Sequence, residues 1–222
     1  MNHDLTLVVF DIDGTLVDSQ GMILDGFTRA FAAIGRERPA PARLLAQVGL
    51  SLPEVMARLL PEADAETRAR AAGAYRTYAL GLKAAPLFDG AAALIARLAA
   101  CDDVLIGAAT GMSRRGLDQL LDAHGLARHF VTRQTADAHP SKPHPAMLEA
   151  ALAETGVAPG RAVMVGDTTY DIEMAGHAGV RGIGVSWGHH PRDALMAAGA
   201  GAVVDSFTAL AAEIDAIRGA AP

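Results

Sequence analysis

The chain has 222 residues, 51% of them hydrophobic and 20% charged, and carries a formal charge of −6. This composition excludes a disordered or fibrous chain and predicts a globular protein with a sizeable core, either one large domain or a domain with an insertion. The acidic balance argues against nucleic acid or an anionic membrane as partner, and a single cysteine, Cys101, excludes an intrachain disulfide and suits a reducing compartment.

The first stretch, MNHDLTLVVF, carries Asp4 and lacks the basic start and long apolar run of a signal peptide. No run of about 18 uncharged apolar residues follows anywhere, so the expectation is a cytoplasmic protein without a membrane span. LTLVVF (5–10) reads as a buried strand that runs into Asp11, with Asp13 two positions on and Gly14 and Thr15 behind it. Carboxylates placed together repel and lose hydration. They need either a solvated turn or a positive partner between them, most simply a metal ion.

Residues 17–83 keep to a helical rhythm: GMILDGFTRAFAAIG, PARLLAQVG, LPEVMARLL and AETRARAAGAYRTYALGLK, punctuated by Pro39, Pro41, Pro53 and Pro61. A strand-free block after a first strand reads as an inserted helical subdomain (17–83) within an α/β core (1–16 and 84–222). Beyond it helix and strand alternate. AAALIARLAA (91–100) is a helix, and VLIGAAT (104–110) is a strand ending at Thr110 and Gly111. SRRGLDQLLDAHG is a helix with Ser113 as N-cap and Gly125 at its end. DAHPSKPHP holds Lys142 in a proline-bounded loop, and HPAMLEAALAETG is a helix with Pro145 at its start and Gly156 past its end. AVMVGD (162–167) ends on Asp167, with Asp171 four residues later. RGIGVSW (181–187) is a further strand, and AVVDSFTALAAEIDAI supplies an edge strand and a terminal helix capped by Ser206. Uninterrupted apolar strands alternating with helices imply a doubly wound parallel sheet. His189 and His190 lack a third ligand at metal-site spacing, but their loop follows a strand end, which leaves a place for one histidine near the mouth of the site; Trp187 reads as core or loop packing.

In such a sheet ligands bind beyond the carboxyl ends of the strands, where Asp11, Asp13, Thr110, Gly111, Lys142, Asp167 and Asp171 converge. Several carboxylates with open water positions suit Mg²⁺ beside a phosphate. Asp11 is placed to attack phosphorus and Asp13 to exchange protons with the leaving oxygen and with water. Thr110 and the N–H groups after it are donors to phosphoryl oxygens, and Lys142 is the fixed positive charge. Asp167 completes a metal shell, and Asp171 orients Lys142 or a metal-bound water.

FDIDGTLVDS (10–19), ATG (109–111), SKPHP (141–145) and VGDTTYDIEMA (165–175), in this order, give a sequence that resembles the haloacid-dehalogenase-like hydrolases, in particular the phosphoglycolate-phosphatase-like branch. The resemblance spans nearly the whole chain. It implies a Mg²⁺-dependent phosphatase with Asp11 as nucleophile, Asp13 as general acid and base, and metal ligation by Asp11, Asp167 and the main-chain carbonyl of Asp13. It also implies that residues 17–83 are a mobile cap, with VGLSLPEVM (48–56) over the site and Ser51 as a substrate contact. Dehalogenases and phosphonatases of this kind lack an acid at the position of Asp13, so phosphate monoester chemistry is the better reading. Arg76 is a weaker candidate for pairing with a substrate carboxylate.

The expected substrate is a small phosphorylated metabolite, 2-phosphoglycolate or a sugar phosphate, and the expected protein is a monomer or homodimer. A phosphosugar mutase using the same aspartyl-phosphate is the rival that Asp13 does not remove. A receiver-type signalling domain is opposed by the large helical insertion and by the acid beside the nucleophile. A non-catalytic phospholigand binder is opposed by the complete catalytic set.

Overall fold

A computed structural model describes residues 5–219; residues 1–4, including Asp4, and residues 220–222 lie outside the described residues. The chain runs through β1 (Thr6–Phe10), α1 (Gln20–Ala33), α2 (Pro41–Leu45), α3 (Leu52–Leu59), α4 (Ala65–Leu80), α5 (Ala91–Ala99), β2 (Val104–Thr110) and α6 (Arg114–Ala123). It continues with β3 (Phe130–Thr135), α7 (Ala146–Thr155), β4 (Ala162–Gly166), α8 (Thr169–His177), β5 (Arg181–Val185), α9 (Arg192–Ala197), β6 (Ala202–Val204) and α10 (Phe207–Gly219).

The six strands form one sheet in the order β3-β2-β1-β4-β5-β6, and every pairing is parallel. This is the doubly wound α/β arrangement anticipated from the apolar runs. Alternation along β1 divides the core. Val8 and Phe10 face α5, α6 and α10, while Leu7 and Val9 face α7 and α8. All four are fully buried, and each such side chain contributes roughly 1.5–3 kcal/mol of transfer free energy. The order reverses at β1, which lies between β2 and β4. A crevice therefore opens at the carboxyl ends of these three strands.

Helices α1 to α4 build a separate apolar cluster around Phe27, Phe31, Leu44, Met56 and Leu59. The chain enters and leaves this block side by side: Asp18 N–H donates to Pro86 O at 2.9 Å and Phe88 N–H to Leu16 O at 3.0 Å. Among the described residues no helix is long and apolar enough to cross a membrane.

The capping residues named from sequence sit where expected. Ser113 Oγ accepts from Gly116 N–H at 3.3 Å and Ser206 Oγ from Ala209 N–H at 3.3 Å. Gly125 and Gly156 hold φ near +68° and +69° past the ends of α6 and α7. One strand was not anticipated: β3 lies at the sheet edge, and its polar residues Thr132, Gln134 and Thr135 are buried while Val131 faces solvent.

Candidate active site

Asp11 directly follows β1, and its N–H donates to Val165 O at 2.8 Å, so the neighbouring strand aims it. Asp167 directly follows β4, and Thr110 is the last residue of β2. Parallel register thus delivers all three to one edge. Lys142 reaches the same point from the loop before α7, with its side chain wholly buried. Its Nζ lies 2.9 Å from Asp11 Oδ1 and 2.6 Å from Asp171 Oδ1. The second oxygen of Asp171 accepts from Thr168 N–H at 3.1 Å and from Thr168 Oγ1 at 2.8 Å, in the capping box of α8. The capping box fixes Asp171 in the first turn of α8, from which its other oxygen pairs with Lys142.

Asp167 is held from both sides. Thr15 Oγ1 donates to its Oδ1 at 3.0 Å, and the His189 N–H donates to its Oδ2 at 2.8 Å. His189 Nδ1 lies 2.7 Å from the same oxygen. Burial opposes protonation of His189, yet the carboxylates of Asp167, Asp13 and Asp18 together outweigh it and hold the imidazole pKa above its usual value. His190 plays a separate part: its Nδ1 accepts from Thr169 N–H at 3.1 Å at the start of α8.

The charge balance is unequal. Oxygens of Asp11, Asp167 and Asp171 lie within 4.8 Å of one another, all buried, against one lysine and the His189 imidazole beside Asp167. Burial raises the Asp11 pKa well above the ordinary carboxylate value; Lys142 opposes this, while Asp171 and Asp167 add to it. Asp11 Oδ2 has no hydrogen-bond partner. An unpartnered buried carboxylate oxygen among excess negative charge is what a divalent cation with oxygen ligands requires, and Asp11 with Asp167 could hold one. The Asp13 side chain lies outside this cluster. Burial raises its pKa too, with the Ser19 hydroxyl and His189 opposing only partly.

Close approach explains several glycines. A Cβ at Gly14 (φ +79°) would fall 2.3 Å from Asp167 Oδ2, and one at Gly166 would fall 2.3 Å from Asp171 Cγ. Gly166→Ala should therefore displace Asp171 from Lys142 and lower unfolding stability by about 2–4 kcal/mol in a urea titration. An unchanged midpoint would show that α8 can shift without disturbing the pair.

The helical block meets the core here. A Cβ at Gly111 would lie 2.6 Å from Leu50 O, and one at Gly49 would lie 2.9 Å from Thr168 Oγ1. Ser51 N–H donates to Ser141 Oγ at 2.8 Å. Segment 48–56 thus stands over the site, but the Ser51 hydroxyl accepts from Glu54 N–H at 3.4 Å as the N-cap of α3. Its neighbours Gly49 and Leu50, with Asp11, Asp13, Thr110 and Gly111, border a cavity of about 720 Å³. Thr110 Oγ1 accepts from Met112 N–H at 3.3 Å, which leaves its O–H free to donate. Arg76 is exposed at the cavity's edge. Trp187 stacks on Phe207 with centroids 4.7 Å apart, and its Nε1–H donates to Thr15 O at 3.1 Å, so packing and loop support coincide.

Thr15, Ser19 and Thr168 were not singled out from sequence as site residues, whereas the loop holding His189 and His190 offers a place for one histidine near the mouth of the site. For Thr15 and Thr168 the available signal was their place, shortly after a strand end that carried an acid.

A family model described as haloacid dehalogenase-like hydrolase matches residues 8–185. Among curated proteins, the chain is 34% identical to "Probable phosphatase IndB" of Dickeya dadantii over 209 residues, covering 91% of this chain and 90% of that one. It is 32% identical to the phosphoglycolate phosphatase of Rhodospirillum rubrum over 214 residues, covering 91% and 88%. A crystal structure of a predicted phosphatase from Clostridium acetobutylicum superposes with a TM-score of 0.86 at 25% identity, over 96% of this chain and 99% of that chain.

Proposed function

Because the chain belongs to the haloacid dehalogenase-like hydrolase family, we propose that it is a Mg²⁺-dependent phosphatase that hydrolyses a small phosphate monoester through phosphorylated Asp11. The observation that carries this reading is the buried set of Asp11, Lys142, Asp171 and Asp167 beside a cavity bordered by Asp13 and Thr110. The α1–α4 block is the cap over that cavity, and the protein works in the cytoplasm as a monomer or homodimer.

Asp11 attacks phosphorus as its carboxylate, and the bond from phosphorus to the leaving oxygen breaks. Asp13, whose pKa burial raises above the usual aspartate value, donates its proton to that oxygen. The Thr110 hydroxyl and the Gly111 N–H hold phosphoryl oxygens, while the Lys142 ammonium offsets charge on Asp11 and on the transferring group. Asp13, now a carboxylate, takes a proton from water as the water attacks phosphorus, and phosphate leaves as Asp11 is regenerated. Asp171 keeps Lys142 in place throughout. A Mg²⁺ held by Asp11, Asp167 and the main-chain carbonyl of Asp13 would supply the positive charge this acidic cluster lacks.

The test is phosphate release from 2-phosphoglycolate, sugar phosphates, nucleotides and 4-nitrophenyl phosphate, with Mg²⁺ or EDTA. EDTA should lower release by at least about 100-fold, with Mg²⁺ restoring it, and millimolar Mg²⁺ should raise the melting temperature of the resting protein. Isomerisation of a sugar phosphate without net phosphate release would instead identify a mutase. Release that is indifferent to chelation would contradict the metal assignment.

A further inference from the structure

Resting on the phosphatase reading above, we propose that the preferred ester carries a neutral, largely apolar leaving group rather than a second anionic group. The cavity that begins at Asp11, Asp13 and Thr110 extends into the α1–α4 block. Its inner wall is formed by Ile23, Phe27, Val48, Leu50, Val55 and Tyr75. Phe27 and Tyr75 pack with ring centroids 5.0 Å apart, and Gly26 makes room for the Tyr75 ring, since a Cβ there would lie 2.7 Å from it. This aromatic corner is therefore built into the backbone of α1.

Charge sets the choice of substrate. Among the described residues Lys142 is the only buried lysine or arginine, and it is held between Asp11 and Asp171. The other cations at the cavity, Arg76, Lys83 and Arg115, are exposed at its rim, where Asp122 and Asp137 also stand. A carboxylate or second phosphate carried inward would lose its hydration and meet no buried counter-charge. The inner polar groups, Ser19, Gln47 and the Tyr75 hydroxyl, are neutral; they can orient a hydroxyl or amide but cannot balance an anion.

Size and surface agree. A two-carbon acid fills only a small part of a cavity of about 720 Å³. Leu80 and Leu82, 40% and 36% exposed, are two of the four large hydrophobic side chains exposed among the described residues, and both line this cavity. Apolar surface left open at a cleft mouth marks a place where apolar matter binds.

The experiment compares kcat/KM for three esters of ordinary alcohols, so that leaving ability is similar: 2-phosphoglycolate, glycerol 3-phosphate and 2-phenylethyl phosphate. The phenylethyl ester should exceed each of the others by at least about 30-fold, since each buried methylene is worth roughly a factor of four. In the double variant Leu80→Gln, Leu82→Gln, the phenylethyl-to-glycerol ratio should fall at least about five-fold. Preference for 2-phosphoglycolate or glycerol 3-phosphate, with release still dependent on Asp11, would overturn the apolar assignment and leave the phosphatase reading intact. A ratio unmoved in a folded double variant would also overturn it. No release above the Asp11→Asn background from any of the three would overturn the apolar assignment, and the same result with sugar phosphates, nucleotides and 4-nitrophenyl phosphate would sink the phosphatase reading as well.

Discussion

Asp11→Asn should abolish phosphate release from every ester, with a loss of at least about 10⁴-fold in kcat. The amide keeps the shape of the side chain and removes the nucleophile. Folding should survive, for a reason visible in the site. Lys142 keeps Asp171 as its partner at 2.6 Å, so the substitution leaves no buried ammonium alone. It also removes one of three crowded carboxylates, the one whose pKa burial and its neighbours drive upward. A melting temperature within a few degrees of the wild type, beside lost activity, is the expected pair of results. Retained activity in Asp11→Asn would place the nucleophile elsewhere. Lys142→Met is expected to behave differently, because it leaves Asp11 and Asp171 facing each other without a cation. Removing one partner of such a buried cluster costs on the order of 3–5 kcal/mol.

Asp13→Asn should divide substrates by leaving group. An alkyl ester departs as a strongly basic oxygen and needs a proton, so its kcat/KM should fall by about 10²–10⁴-fold. 4-Nitrophenyl phosphate leaves as a stable phenolate and needs none. With it the first step should persist while activation of water is lost, giving a burst of one nitrophenolate per enzyme followed by slow turnover. The pH dependence follows the same group. Burial holds the Asp13 pKa above the usual aspartate value. As general acid it must be protonated in the free enzyme, so kcat/KM for an alkyl ester falls as pH rises through that raised pKa. In the variant this limb should vanish. Equal losses for both esters with no burst would show that Asp13 transfers no proton.

Much of this arrangement was legible because its signals were strong and local. TLVVF, VLIGAAT and AVMVG are strands buried on both faces, so their apolar runs point to a covered parallel sheet. Acids or hydroxyls at the ends of three such runs then point to one edge. β3 escaped notice because an edge strand carries other demands: Thr132 accepts from Gln134 Nε2 at 2.7 Å and donates to Glu154, so hydrogen bonds replace the apolar run. Ser51 carries a second, purely local demand: a serine before Leu-Pro-Glu at a helix start caps that helix by accepting from Glu54 N–H, which leaves its O–H free to donate. His189 was seen and set aside as a metal ligand. It forms no part of the carboxylate cluster, yet it supports Asp167 from a loop 22 residues away, a contact that only the packing of β5 beside β4 creates. The apolar cavity was illegible for a similar reason: Phe27, Val48, Val55 and Tyr75 come from four separate places in the helical block, and each alone reads as ordinary core.

The central claim is that phosphate passes through Asp11, and the most direct measurement traps it there. Asp13→Asn is mixed with an excess of ³²P-labelled 4-nitrophenyl phosphate and Mg²⁺, quenched in acid within the burst, and digested. The account predicts one label per enzyme, released by hydroxylamine as an acyl phosphate must be, on the peptide that contains Asp11 and absent when Asp11→Asn is added. A burst without bound label, or a label on another residue, would contradict it.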